Sequence, residues 1–312
     1  MNRHAALRLF TLIFSVLLLI PAAVLCSRPQ QRAHSYAVRQ DLSVYFTNAD
    51  AVIDSVREAL RQRSQSVTLT YRAEGDHMAD IAALTEDLMQ FVYAETDAPD
   101  AGDYLRYQTA GYALRYSRSP EGSGYAYQIT VVPEYYTDLK QEQLVTERVR
   151  ALTKELNLAD IPSESERALV IYDYVRGAVS YDTVHRKNAY YHLKSTAYGA
   201  LFNRTATCQG YAVLLYRLLR EAGLKARIVT GYAGDDGAEP EYHAWTLVCI
   251  DGLYYNLDAT WDRGTEAPRW FLRCDAGFPH HQRTGDCAGP AFAEACPMAA
   301  QDYPLPMKGA LS

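Results

Sequence analysis

The chain has no surplus of basic residues. Its 31 Lys and Arg stand against 37 Asp and Glu, for a formal net charge of −6 and a pI near 5.8. That balance excludes the positive footprint that a phosphate backbone requires, so no nucleic-acid partner is expected. Cys-x-x-Cys pairs and His-x-x-x-His spacings are also missing, which leaves a zinc site without its usual ligand pattern. The adjacent His280 and His281 have no carboxylate pattern beside them in the sequence, so a metal hydrolase is poorly supported. There is no internal repeat and no low-complexity tract. With 48% hydrophobic and 22% charged residues, the composition is that of a globular protein.

Acidic residues are absent before Asp41, and this absence bears on compartment. Arg3 and Arg8 precede an apolar run from Leu9 to Leu25, broken only by Thr11, Ser15 and Pro21. A charged start followed by such a run reads as a leader. The run is long for the core of a signal peptide and at the lower limit for a spanning helix. Ala22, Ala23 and Ser27 make a poor cleavage site, and Leu25 is bulky for a lipidation site at Cys26. A cleaved signal peptide and an uncleaved anchor both fit residues 1–30. Either way the N-terminal segment meets a membrane, and the rest is expected outside the cytoplasm, anchored or secreted. That compartment permits disulfides, and Cys249, Cys274, Cys287 and Cys296 allow three pairings.

Residues 31–41 read as a linker and residues 42–137 as a small α+β region. In it, Asn48 caps a helix reaching Gln62, with Ala51, Ile53, Val56 and Leu60 as apolar positions. Ser66–Arg72 alternates as a strand, and a second helix covers Met78–Tyr93. Strands near Tyr112–Ser117 and Tyr125–Val132 are joined through a loop at Ser119–Gly124. Residues 138–277 are expected to form the catalytic domain. It begins with a helix over Asp138–Leu156 and a second helix opened by the capping pattern Ser163–Glu166. Residues 182–194 read as a surface loop. Residues 278–312 read as a tail packed on the core.

Two segments carry the chemistry. Thr205-Ala-Thr-Cys208-Gln-Gly-Tyr-Ala212 lies where a loop becomes a helix, whose apolar face is Ala212, Leu215, Leu219 and Ala222 and whose stop is Gly223. Unpaired N–H groups and the helix dipole at that end favour a thiolate. Gly210 lets a substrate or a neighbouring strand approach the first turn. Further on, Tyr242–Ile250 and Leu253–Asp258 read as a hairpin closed by Asp251-Gly252. With Ile250 opposite Leu253, Trp245 lies opposite Asp258, and His243 shares their face. His243 and Asp258 are then diagonal neighbours, a relation that a one-residue slip would destroy. Val248, Ile250, Leu253, Tyr255 and Leu257 take the core face; His243, Trp245, Asn256, Asp258 and Thr260 take the active face. A thiol, an imidazole to accept its proton and a carboxylate to orient the imidazole form a nucleophilic triad.

These residues resemble a family. Cys208-Gln-Gly-Tyr-Ala, Gly223-Leu-Lys-Ala-Arg-Ile-Val-Thr-Gly231, His243-Ala-Trp and Tyr255-Asn-Leu-Asp258-Ala-Thr-Trp261-Asp are similar to the transglutaminase-like core of microbial cell-surface proteins. So are Ser180-Tyr-Asp182, Ala197-Tyr-Gly-Ala-Leu201 and Trp270-Phe-Leu, and the resemblance runs over about residues 163 to 275. It implies a papain-like α+β fold, with Cys208 as nucleophile, His243 as base and Asp258 as third member, and no metal or organic cofactor. The expected function is attack on a peptide or carboxamide bond of a protein or peptide through a thioester, with water favoured over an amine as acceptor. A non-catalytic cell-surface binding or structural module is the alternative. Gln209, Tyr198 and Tyr181 are candidates for the second oxyanion donor.

Overall fold

The computed structural model describes Phe46, residues 48–234, Gly237 and residues 239–304. The expected leader, the linker and the residues beyond 304 lie outside the described residues. No helix among the described residues is long and apolar enough to cross a membrane.

The N-terminal elements form a helix-backed sheet. Helix α1 (Ala49–Arg61) starts where the Asn48 side chain accepts from Ala51 N, as a cap residue should. It buries Ile53, Val56 and Leu60, whereas Ala51 is exposed. Strand β1 (Val67–Glu74) buries Leu69 and Tyr71 and turns Thr68 and Thr70 outward, the alternation that its sequence predicts. Helix α2 (Ile81–Val92) follows, then a short α3 (Asp103–Gln108), β2 (Thr109–Glu121) and β3 (Gly124–Tyr135). The sheet order is β1-β3-β2. The loop expected at Ser119–Gly124 is a correction: Ser119, Pro120 and Glu121 stay in the ladder, opposite Ala126, Tyr125 and Gly124. Pro120 is accommodated because β2 is an edge strand, where a missing N–H costs no ladder bond.

Helix α4 (Leu139–Glu155) opens with a full capping box, in which Asp138 and Gln141 each accept from the other's backbone. Helix α5 (Glu164–Ala178) is capped by Ser163. Two-residue strands β4 (Ser180–Tyr181) and β5 (Thr205–Ala206) pair in parallel, setting Tyr181 beside Ala206. Helix α6 (Cys208–Glu221) is the centre of the fold, with every residue from Gly210 to Leu219 buried. A helix apolar nearly all round needs cover on all sides. It receives that cover from α4, α5 and the sheet that follows.

That sheet consists of β6 (Ala226–Ala233), β7 (Glu241–Ile250), β8 (Leu253–Leu257) and β9 (His281–Arg283), in the antiparallel order β8-β7-β6-β9. The hairpin register is the expected one: Ile250 faces Leu253 and Thr246 faces Leu257. Its turn has positive φ at both Asp251 (52°) and Gly252 (85°), as a two-residue turn of matching twist demands. Val248, Ile250, Tyr255 and Leu257 join the core around α6. The opposite face is not open, a correction to the active face read from the sequence. Trp245 packs there beneath Trp270, Phe278 and Phe292, the last carried by α7 (Pro290–Ala295).

Helix α3 links the two cores. Leu105 points into the N-terminal one and Tyr104 into the one around α6. Buried Asp103 accepts from Arg227 Nε at 2.7 Å and from Ile228 N at 2.9 Å. The described residues accordingly fall in one compact unit.

Strand β9 reaches β6 at a position where a side chain would not fit. A Cβ on Gly231 would lie 1.9 Å from the carbonyl oxygen of Gln282. Gly231→Ala is expected to lower stability by about 1–3 kcal/mol through overpacking. Urea unfolding checks this, and an unchanged midpoint would refute the close approach.

Candidate active site

Cys208 stands at the first position of α6, and its backbone is set by β5, which leads directly into it. Thr207 precedes the helix but spends its hydroxyl on Lys194 O rather than capping the first turn. The first three N–H groups of a helix lack intrahelical acceptors, so the turn that holds the thiol presents donors to an anion. Gly210 is enclosed by the protein itself: its Cβ would meet Lys194 O at 2.8 Å and Ala206 Cβ at 2.7 Å. It brings a neighbouring segment close rather than opening a path for substrate.

The structure brings Cys208, His243 and Asp258 together. The Cys208 thiol meets the His243 ring and the N–H of Ala244. His243 Nε2 donates to Asp258 Oδ2 at 2.8 Å, so Nδ1 is the nitrogen left for the thiol. Asp258 follows β8 directly, one residue past the last ladder pair of Thr246 and Leu257, and is 1% exposed. Its Oδ1 accepts from Thr260 N at 2.8 Å and Trp261 N at 3.1 Å. Asp262 secures the loop that carries these donors. It accepts from Tyr172 Oη at 2.6 Å, Trp270 N at 2.7 Å and Arg269 N at 2.9 Å.

The electrostatics follow from this contact chain. Burial pushes the Cys208 thiol up, but the hydrogen bond and charge of His243, with the Ala244 N–H, outweigh it and hold the thiol below its ordinary value. Burial pushes His243 down, and the charge and hydrogen bond of Asp258 overcome this, raising the imidazole to about 10. Burial alone would raise Asp258; the His243 charge and bond, joined by His281, hold the carboxyl well below the usual carboxylate range. The lowered thiol and the raised imidazole both favour a thiolate–imidazolium pair.

Of the three oxyanion candidates, Gln209 directs an amide N–H to Tyr107 O at 3.0 Å, and Tyr198 packs its ring against Phe202. Tyr181, placed by the β4–β5 pair, is the one whose phenol lies within electrostatic reach of Cys208. The sequence reading also set His281 aside for want of a carboxylate. That is corrected: His281 lies on β9, and its Nε2 donates to Asp258 Oδ2 at 3.1 Å. His243, Asp258 and His281 are residues of metal-ligand type whose ligand atoms lie within 4.8 Å of one another. The two histidines approach Asp258 Oδ2 at 2.8 and 3.1 Å. The five described cysteines are free thiols.

Residues 150–259 match the family model of the transglutaminase-like superfamily core. This stretch is similar to a transglutaminase-like core. With Cys208 on a helix packed against an antiparallel sheet bearing His243 and Asp258, the fold class is the expected papain-like α+β. The chain is similar to the kyphoscoliosis peptidase of Mus musculus, 29% identical over 115 residues, covering 34% of this chain and 17% of that protein. To the Homo sapiens protein of the same name it is 34% identical over 71 residues, covering 20% and 11%. The aligned part thus spans less than a fifth of these curated relatives. Among solved structures, similarity extends to a TGase at 14% identity and a TM-score of 0.35, over 67% of this chain and 57% of that one. It also extends to the periplasmic domain of TgpA from Pseudomonas aeruginosa at 15% identity and a TM-score of 0.29, over 50% of this chain and 69% of that one.

The pH behaviour of the thiol follows. Cys208 should alkylate rapidly below the ordinary thiol value of about 8.5, losing reactivity only as pH falls through its lowered pKa. His243 should keep its proton until pH rises through about 10. In His243→Ala, burial and the Asp258 charge are opposed only by the Ala244 N–H, so reactivity should shift to higher pH. The alkylation rate against pH, read by mass spectrometry, checks both; an identical profile for the variant would remove His243 from the pair.

Proposed function

We propose that the chain is an extracytoplasmic cysteine hydrolase that cleaves peptide or carboxamide bonds of proteins or peptides through a thioester on Cys208. The observation that carries this reading is the continuous path from the Cys208 thiol through His243 to buried Asp258 at the head of α6. The free state of Cys208 supports it against a silent binding module, which a disulfide at that residue would have favoured. The extracytoplasmic assignment is supported by the leader pattern from Arg3 to Leu25.

The thiolate attacks the carbonyl carbon, a C–S bond forms, and the oxyanion is met by the backbone N–H of Cys208 and the Tyr181 hydroxyl. As the C–N bond breaks, the His243 imidazolium delivers its proton to the departing amine. Neutral His243 then takes a proton from water, whose oxygen attacks the thioester. The C–S bond breaks, releasing the acid and restoring the thiolate–imidazolium pair. Asp258 keeps the imidazole in the tautomer that both halves use. An amine in place of water would give transamidation by the same first half.

Cys208→Ala is expected to cut hydrolysis of an unfolded protein substrate at least about a thousandfold. Release of new amino termini measures hydrolysis, and capture of a fluorescent primary amine measures transfer. Full activity in the variant would refute the reading, and amine capture exceeding hydrolysis would replace the acceptor. Tyr181→Phe is expected to lower kcat about a hundredfold while leaving Cys208 alkylation unaltered; an unchanged kcat would remove Tyr181 from the oxyanion site.

A further inference from the structure

Asp258 holds more donors than a triad needs. His281 takes the same oxygen as His243, with a bond of 3.1 Å beside one of 2.8 Å. Its side chain is 0% exposed, although its backbone lies on the surface. Four aromatic rings surround it, those of Phe278, Trp261, Trp245 and Trp270, with centroids 4.0 to 5.3 Å away. The titratable groups that meet it are Asp258 and His243, from the end of β8 and from β7. Its other nitrogen, Nδ1, lies 3.1 Å from Pro279 O. A carbonyl only accepts, and an ionised carboxylate only accepts. Both bonds made together place a proton on each nitrogen.

We propose that His281 is a positioning residue: as a doubly protonated imidazole it holds Asp258 in line with His243 and shares the charge of the carboxylate with it. The proposal rests on the reading of Cys208 and His243 given above. Its physical sense is charge balance. A thiolate and a carboxylate beside one imidazolium leave a net negative charge in a half-buried site, which works against the thiolate. A second imidazolium on Asp258 cancels it. Strand β9 makes this arrangement, since the close approach at Gly231 brings the strand against β6 with His281 opposite Ala233.

The test uses the intact chain, unaltered and as His281→Phe and His281→Gln, with thermal melting as a check on folding. Phe keeps a ring in the aromatic box and removes both donors and the charge; Gln keeps a donor without the charge. Cys208 alkylation by iodoacetamide is followed against pH. In both variants the acid limb should move to higher pH, so that the rate at the unaltered midpoint falls about tenfold in Phe, the worth of one charge-assisted hydrogen bond, and less in Gln. In the unaltered chain, side-chain nitrogen NMR should show protons on both nitrogens of His281, a readout that stands even if neither variant folds. Folded variants with the unaltered profile, Gln equal to the unaltered chain, or a bare nitrogen on His281 would each overturn the proposal. An ordinary thiol profile in the unaltered chain would instead sink the Cys208–His243 reading itself.

Discussion

A carboxylate removed from water must be met by donors or take up a proton. Asp258 is 1% exposed, and much of the C-terminal half is arranged around keeping it charged. Two backbone N–H groups serve one oxygen and two histidines serve the other. These donors come from three different pieces of chain. The backbone pair comes from the turn after β8, which Asp262 ties to Tyr172 on α5. His243 comes from β7, and His281 comes from β9. The charge of Asp258 is in turn the chief force raising His243 against its burial, and His243 is what lowers Cys208. Without the carboxylate, His243 would lose the largest influence that opposes its burial.

This dependence explains which parts of the site were legible beforehand. The β7–β8 hairpin was, because a two-residue Asp-Gly turn admits few registers and the alternation of apolar residues admits one. The place of Cys208 was readable from the apolar spacing of α6 and the Gly223 stop. His281 was not. It is twenty-three residues beyond Asp258 along the chain, on a strand of three residues that is too short to show any alternation. Its only local signal was the neighbouring His280, which suggested a metal instead. The burial of the supposed active face was hidden for a related reason, because Phe278 and Phe292 come from a segment rich in Gly and Pro that reads as tail.

The same contrast holds in the N-terminal half. Helix α1, strand β1 and the α4 capping box follow from caps and periodicities that operate within a few residues. Helix α3 has six residues and no side-chain cap, so nothing local announces it. What holds it is distant: Tyr104 in the core around α6, Leu105 in the other core, and Asp103 on Arg227. Such a buried ion pair contributes little net stability but is costly to break on one side. It therefore acts more as a register between the two cores than as glue. Gln209, beside the nucleophile, bonds to Tyr107 of the same helix, so the placement of α3 bears directly on the head of α6.

Chain order and strand order disagree in the larger sheet. Strand β9 is synthesised after β6, β7 and β8, yet it pairs with β6. As the protein is made, α6 and the hairpin emerge while Asp258 still lacks one imidazole and the aromatic roof of Phe278. The nascent chain thus carries its thiol in an unfinished electrostatic setting until the residues past His281 have been added. The electrostatic setting of the thiol is therefore completed by the last strand of the sheet to be made.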